Sequence, residues 1–293
     1  MAAGAPSSSN SPGISRWLVS TEWLASRLRQ PDLVVVDGSY YLPTMKRDAT
    51  AEYLAGHIPG AVFFDIDAIK DHSNPLPHML PTPEQFTASV GTLGIGNENT
   101  IIVYDGVGLY GAARVWWTFR AFGARHVFVL DGGLPKWKAE GRPLETAQVP
   151  RGPRTFNAPE NPDFVASLDD VKNALSSGRA QVVDARAADR FRGEAPEPRP
   201  GLRSGHMPGS FNVPYQALLK DGRLASPQNI AAAFDAGGVD LDKPIITSCG
   251  SGVTAAILTF ALDALGKPTG KVYDGSWSEW GMQNGPPVAT GPA

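Results

Sequence analysis

Cysteine is almost absent from this sequence, since Cys249 is the single one among 293 residues. One thiol cannot form an intramolecular disulfide, and no cluster with the spacing of zinc ligands can form around it. These absences exclude a disulfide-stapled secreted domain and predict a reducing compartment, with no metal. Cys249 is therefore either a buried filler of the core or a reactive group.

The sequence also has no excess of charge of either sign, because 26 Lys and Arg residues stand against 29 Asp and Glu residues. The formal net charge of −3 offers no broad basic surface to nucleic acid or to an anionic membrane. Long hydrophobic runs are missing as well, because no stretch approaches the ~18 apolar residues of a membrane-spanning helix. We therefore expect a small-molecule or protein partner, and neither nucleic acid nor a membrane.

Targeting features are lacking at the amino terminus. Residues 1–15 are rich in Ala, Ser, Gly and Pro, contain no Lys or Arg, and have no continuous apolar stretch. This composition predicts a disordered tail and not a signal peptide. The first arginine is Arg16, whereas organellar transit peptides are typically rich in arginine, so the pattern favours the cytoplasm.

An internal repeat organises the rest of the chain. Four segments recur in the same order: Leu33–Asp37 as Gln181–Asp184, Gly56–Gly60 as Gly205–Gly209, Ile101–Asp105 as Ile245–Cys249, and Asp131–Trp137 as Asp274–Trp280. The offsets between the matched segments are nearly constant, which indicates a duplicated domain. We predict one domain over residues 16–144, a proline-rich linker over 145–163, and a second domain over 164–293.

Each half alternates short apolar runs with helical segments. The runs predict buried strands at 33–37, 101–105, 127–130, 181–184, 245–248 and 271–273. Helices are expected over 112–122 and 255–265, each followed by a glycine, Gly123 or Gly266. Strands that alternate with helices predict an α/β fold with two tandem domains, each a mostly parallel sheet flanked by helices.

The chemistry is expected in the loop that begins at Cys249, between a strand and a helix that opens near Thr254. Sites in open parallel sheets lie beyond the carboxyl ends of the strands, which is where Cys249 falls. A tight loop with Gly250 and Gly252 can turn backbone N–H groups inward, and the helix adds the positive end of its dipole. Both effects favour the thiolate, which is the nucleophilic form of cysteine.

The repeat provides an internal control on that interpretation. The residue matched to Cys249 in the first half is Asp105, in a loop that is one residue longer. If the cysteine only filled the core, an aspartate would be a poor substitute. The comparison predicts one working site, in the second half, and a first half that is retained as scaffold.

With these residues in view, the chain resembles the rhodanese superfamily, and specifically its two-domain sulfurtransferases, from about Trp17 to Trp280. The resemblance rests on the loop Cys249–Ala255, with sequence Cys-Gly-Ser-Gly-Val-Thr-Ala, and on the segments Arg-Phe-Arg-Gly193 and Pro-Glu-Pro-Arg199. Family members that prefer thiosulfate usually have basic residues at the second and third loop positions. Gly250 and Ser251 stand there, which is similar to the branch that uses 3-mercaptopyruvate.

The resemblance implies roles for particular residues. The guanidinium groups of Arg190 and Arg199 would hold the carboxylate and keto oxygen of the substrate. Asp67, His78 and Ser251 would form a proton-handling group near the thiol, with members from both domains. The loop would also bind the substrate, through Gly250, Gly252, Val253 and Thr254. Backbone N–H groups of this loop would stabilise the negative charge of a persulfide on Cys249.

The activity implied is transfer of sulfur from 3-mercaptopyruvate through a Cys249 persulfide to an acceptor thiol, a thioredoxin-like protein or cyanide, with release of pyruvate. No metal or organic cofactor is needed. Three alternatives stay open: a thiosulfate:cyanide sulfurtransferase, a non-catalytic sulfur-relay or binding module, and a cysteine phosphatase. The phosphatase is disfavoured because its loop ends in an arginine, and Ala255 stands at that position here.

Overall fold

The computed structural model describes residues 15–148, 150–159, 163–267 and 270–292. These residues divide into two compact units. The first unit takes its described residues from 1–70, 81–160 and 221–224, and the second from 71–80, 161–220 and 225–293. Residues 1–14 of the predicted tail lie outside the described residues, and the predicted domain and linker boundaries stay a prediction.

The first unit is built on a sheet of five parallel strands. The strands are β1 Leu18–Val19, β2 Leu33–Asp37, β3 Val62–Phe63, β4 Thr100–Tyr104 and β5 Val127–Leu130. Their order in the sheet is β1-β5-β4-β2-β3, and all the pairings are parallel. The helices are α1 Thr21–Ala25, α2 Ala49–Ala55, α3 Pro83–Thr92, α4 Gly111–Ala121 and α5 Gly133–Ala139, with a 3-10 turn at Pro43–Met45.

The second unit repeats this plan. Its sheet contains β6 Val165–Ala166, β7 Gln181–Asp184, β8 Phe211–Asn212, β11 Ile245–Ser248 and β12 Lys271–Tyr273. The short strands β9 Leu219–Lys220 and β10 Arg223–Leu224 lie outside both five-stranded sheets. The helices are α6 Leu168–Ser177, α7 Ala188–Arg192, α8 Pro227–Ala236, α9 Ala255–Ala264 and α10 Ser276–Trp280, with a 3-10 turn at Tyr215–Leu218.

The predicted fold class is confirmed. The second sheet has the order β6-β12-β11-β7-β8, which matches the first sheet strand by strand. Its strands also pair in parallel. The six predicted strands and two predicted helices agree with the structure to within one residue at each end. Buried strands are continuous apolar runs, and such runs leave a clear signal in the sequence.

Helix α9 shows why the second unit holds its central strand firmly. Every residue from Ala255 to Leu262 is buried, and all of them except Thr259 are apolar, so the helix is covered around its whole circumference. Gly266, one residue after the C-cap Leu265, has φ +68°, a left-handed conformation that ends the helix at little steric cost. The strand before it, β11, packs against this helix, and the loop that begins at Cys249 connects the two. Among the described residues, we find no helix with the length and hydrophobicity needed to cross a membrane.

Candidate active site

Cys249 is the first residue after β11, at the carboxyl end of the central strand of the second sheet. The residue is buried, with 2% of its surface exposed, and it is a free thiol. The loop that follows turns at Gly252, which has φ +78°, and it passes into α9 at Thr254. The predicted order of strand, glycine-containing loop and helix is therefore present.

The loop is held from outside by the first turn of α10. The backbone N–H groups of Trp277 and Ser278 donate to the carbonyl oxygens of Cys249 and Gly250, each at 2.9 Å. The Ser278 hydroxyl donates to the same Gly250 oxygen at 2.7 Å. The Cys249 N–H donates to the hydroxyl of Ser276 at 3.2 Å. The backbone on both sides of the thiol is thus fixed before any substrate arrives.

The matched loop of the first unit shows what this backbone geometry can bind. Asp105 is fully buried there, and its carboxylate accepts four backbone N–H groups: Val107 at 2.9 Å, Gly108 at 2.7 Å, Tyr110 at 2.6 Å and Ala112 at 2.9 Å. Gly108 stands three residues after Asp105 with φ +115°, as Gly252 stands three residues after Cys249. The fold therefore builds a loop at this position that can surround an anion with N–H donors.

Arg190 and Arg199 both lie beside the cysteine loop. A Cβ atom placed on Gly250 would stand 3.3 Å from Nη2 of Arg190 and 3.9 Å from Nη1 of Arg199. A larger side chain at position 250 would enter the space in front of these guanidinium groups. Glycine therefore keeps the approach to two cations open at the residue next to the thiol.

Arg190 is held by a carboxylate that has almost no exposure. Its Nη2 and Nε donate to the two oxygens of Glu197 at 2.6 Å and 3.3 Å. The Glu197 side chain is only 2% exposed, and its Oε1 also accepts from Nη1 of Arg186 at 2.8 Å. Glu197 therefore joins a buried arginine to one that reaches the loop.

Arg186 is a structural residue. Its Nε and Nη2 donate to Asp184 at the end of β7, at 2.9 Å and 2.7 Å, and its guanidinium lies over the Trp277 ring at 4.1 Å. Burial acts to lower the pKa of Arg186, but the carboxylates of Asp184 and Glu197 outweigh it and raise that pKa. Arg186 is thus a permanently charged anchor for Glu197.

His78 belongs to the same compact unit as Cys249, although it comes from the first half of the sequence. It is buried, has φ +59°, and its Nε2 lies 3.1 Å from Nη2 of Arg199. A guanidinium can only donate, so Nε2 of His78 is the acceptor in this contact. The backbone N–H of Leu80 donates to Asp274 at 2.7 Å, which ties the segment that contains His78 to the end of β12.

The remaining predicted residues fall into two groups. Ser251, Val253 and Thr254 are buried in the cysteine loop, within the second unit. Asp67 lies in the first unit, where its carboxylate is half exposed and stands 3.8 Å from Nζ of Lys70. The structure brings Cys249, Arg190, Arg199 and His78 into one unit, and a role for Asp67 in the site stays a prediction.

Sequence reasoning missed Glu197, Ser276 and Ser278. A signal existed for Ser276, because the repeat matches it to Gly133, and both residues have positive φ, +47° and +53°. A serine that replaces a glycine at such a position indicates a required hydroxyl, here the acceptor for the Cys249 N–H. Glu197 lies within the segment Pro-Glu-Pro-Arg199, but the sequence alone could not predict its ion pair with Arg190.

Comparisons with known proteins identify the family of the chain. A family model described as a rhodanese-like domain matches residues 20–140 and again residues 167–283. The chain is 46% identical over 273 residues to 3-mercaptopyruvate sulfurtransferase of Escherichia coli (strain K12), a match that covers 93% of this chain and 97% of that protein. It is 44% identical over 303 residues to thiosulfate/3-mercaptopyruvate sulfurtransferase 1, mitochondrial, of Arabidopsis thaliana, covering 96% and 80%. A crystal structure of a 3-mercaptopyruvate sulfotransferase from Escherichia coli matches with a TM-score of 0.83 at 45% identity, covering 90% of this chain and 99% of that one.

Proposed function

The chain belongs to the family of proteins with rhodanese-like domains, and on that premise we propose that it is a 3-mercaptopyruvate sulfurtransferase that works through a persulfide on Cys249. The observation that supports this most directly is the pair of guanidinium groups, Arg190 and Arg199, beside Gly250. Together they offer a 2-oxo acid two donor groups within reach of the neighbouring thiol. The relatives named for this activity match nearly the full length of the chain.

The first step is a nucleophilic attack by the Cys249 thiolate on the sulfur of 3-mercaptopyruvate. An S–S bond forms, the C–S bond of the substrate breaks, and its electron pair goes to carbon as the enolate of pyruvate. The enolate takes up a proton and leaves as pyruvate, while one sulfur stays on Cys249 as a persulfide. Arg190 and Arg199 hold the carboxylate and keto oxygen, so that the negative charge that develops on the enolate oxygen lies near a cation.

The loop then stabilises the outer sulfur of the persulfide. Loop N–H groups between Gly250 and Thr254 are the proposed donors, and the Asp105 carboxylate is the model for the anion they hold. For the proton we propose the group Asp67, His78 and Ser251. His78 lies in the second unit with Ser251, and its Nε2 is 3.1 Å from Nη2 of Arg199, one of the two proposed substrate-binding cations.

The acceptor is proposed to be a small thiol or a thioredoxin-like protein, in a reducing cytoplasm. A lone cysteine without a disulfide partner fits that compartment. Thiosulfate is the alternative donor, since the Arabidopsis thaliana relative reported above is named for both donors. Its two negative charges would benefit from basic loop residues, and the loop positions after Cys249 are the uncharged Gly250 and Ser251.

Intact-mass spectrometry tests the proposal. We expect the purified protein to gain one sulfur atom after exposure to 3-mercaptopyruvate, with release of pyruvate, and to lose that sulfur when an acceptor thiol is added. Cys249→Ser should gain no sulfur. A wild-type protein whose mass stays unchanged, or a Cys249→Ser variant that still gains sulfur, would contradict the proposal. The rates of sulfur transfer from thiosulfate and from 3-mercaptopyruvate, measured in parallel, decide which of the two donors the protein prefers.

A further inference from the structure

We infer that Glu197 is a positioning residue that sets both the orientation and the net charge of the anion-binding pocket, and so determines which sulfur donor the site prefers. This inference rests on the proposed function. It concerns a residue that does not touch the reacting atoms but holds Arg190, which we propose binds the substrate.

The geometry supports the orienting role. Glu197 binds Arg190 through two parallel contacts, Oε2 to Nη2 at 2.6 Å and Oε1 to Nε at 3.3 Å. Such a fork fixes the plane of a guanidinium as well as its place. Glu197 is fixed in turn by the 2.8 Å contact with Arg186, whose side chain is 1% exposed.

These contacts close a ring around the cysteine loop. Arg186 lies over the ring of Trp277, and the backbone N–H of Trp277 donates to the Cys249 carbonyl oxygen at 2.9 Å. The contacts continue from Arg186 through Glu197 to Arg190, whose Nη2 lies next to Gly250. Glu197 therefore links the loop backbone on one side of the thiol to the substrate-binding cation on the other.

The charges of this cluster support the second role. Two carboxylates, Asp184 and Glu197, face two guanidinium groups, Arg186 and Arg190, and their charges cancel. Arg199, which contacts the imidazole of His78, adds one positive charge. A pocket with one net positive charge from these groups suits the single carboxylate of 3-mercaptopyruvate.

Removing the charge of Glu197 should therefore favour thiosulfate. Coulomb energy scales with the product of the charges, so a dianion gains twice as much as a monoanion from one additional positive charge. In addition, 3-mercaptopyruvate loses the oriented fork that its carboxylate and keto oxygen require, whereas compact thiosulfate depends less on orientation. Both effects change donor preference in the same direction.

The test compares Glu197→Gln with Glu194→Gln in the complete protein. Glu194 forms the same kind of two-point contact with Arg192, at 2.9 Å and 2.7 Å, but its side chain is 57% exposed. For Glu197→Gln we expect the KM for 3-mercaptopyruvate to rise about tenfold with kcat changed less than about threefold. The ratio of kcat/KM for thiosulfate to that for 3-mercaptopyruvate should rise by about tenfold or more. Glu194→Gln should stay within about twofold of wild type in both.

A folded Glu197→Gln protein with unchanged KM and unchanged donor ratio would overturn the inference. Should that variant fail to fold, Glu197→Asp tests the positioning role instead. This variant keeps the negative charge, but its side chain is too short to reach the guanidinium groups of both Arg186 and Arg190. We expect Glu197→Asp to raise the KM for 3-mercaptopyruvate at least about threefold, with a smaller change in donor ratio, and an unchanged KM would refute the positioning role. A wild-type protein that releases no pyruvate would instead overturn the proposed function itself, so the two failures are distinguishable.

Discussion

Asp37 and Asp184 stand at matched positions in the two sheets, each at the end of its strand, but they have different partners. Asp184 pairs with the guanidinium of Arg186. The residue matched to Arg186 in the first half is Ser39, whose backbone N–H donates to Asp37 at 2.9 Å. Burial raises the pKa of Asp37, while its hydrogen bonds with Ser39 and Tyr104 act in the opposite direction.

The two aspartates should therefore respond in opposite ways to the same substitution. Asp184→Asn leaves the buried Arg186 short of a counter-charge and should destabilise the protein by about 3–5 kcal/mol. Asp37→Asn removes a buried charge but keeps a hydrogen-bond acceptor for Ser39, and should stabilise the protein by about 1 kcal/mol at neutral pH. Thermal unfolding midpoints of the two variants and the wild type make the comparison.

The pH dependence gives a second measurement on Asp37. A raised pKa in the folded state means that the stability contributed by the protonated form is present at low pH and is lost as the pH rises through that pKa. The advantage of Asp37→Asn should therefore be smallest at acid pH, where wild-type Asp37 becomes protonated, and should grow as the pH rises. An advantage that does not change with pH would mean that the pKa of Asp37 is not raised.

The cysteine loop shows how much of the site local sequence can predict. The strand, the loop with two glycines and the apolar helix could all be predicted from residues 245–265, because their signals lie within one continuous segment. The repeat added the comparison with Asp105, whose carboxylate accepts four loop N–H groups.

Contacts between distant segments could not be predicted in the same way. Glu197 and Arg190 meet through a turn, and His78 reaches Arg199 across more than a hundred residues. Residues 71–80 belong to the second unit although they come from the first half of the sequence. Such placement depends on tertiary packing, which leaves no periodic pattern in the sequence.

The two loop glycines should differ in what they contribute. Gly252 has φ +78°, so Gly252→Ala forces an alanine into the left-handed region at a cost of about 1–2 kcal/mol and disturbs the N–H donors. Gly250→Ala should leave stability within about 0.5 kcal/mol of wild type, because Gly250 is not in the left-handed region and its new methyl group would meet only the guanidinium ends of Arg190 and Arg199, and no backbone atom. We expect Gly250→Ala to raise the KM for 3-mercaptopyruvate with an unchanged unfolding midpoint. Equal losses of stability in the two variants would contradict this division.

At the scale of the whole molecule, one fold occurs twice and only one copy is proposed to do chemistry. The first unit still has an arginine in a fork beside its loop: Arg47 binds Glu52 through two contacts, and a Cβ atom on Gly106 would stand 3.3 Å from its Nη2. The same Cβ would overlap the hydroxyl of Tyr41, which occupies the space in front of the loop. The first unit thus retains the scaffold of a site whose anion position and approach are filled by its own side chains.

A thiol alone should not restore chemistry to the first unit. In the double variant Asp105→Cys/Cys249→Ser, the new cysteine would stand at the end of β4 with N–H donors around it, but Tyr41 still blocks the approach and Ser39 replaces the buried arginine. We expect no gain of sulfur on exposure to 3-mercaptopyruvate, as for Cys249→Ser alone, while the wild type gains one sulfur. Thermal unfolding of the double variant, with circular dichroism, checks that its fold persists. A gain of one sulfur in the double variant would mean that a thiol in an N–H-lined loop suffices for sulfur transfer and that Arg190, Arg199 and Glu197 are not what separates the two halves.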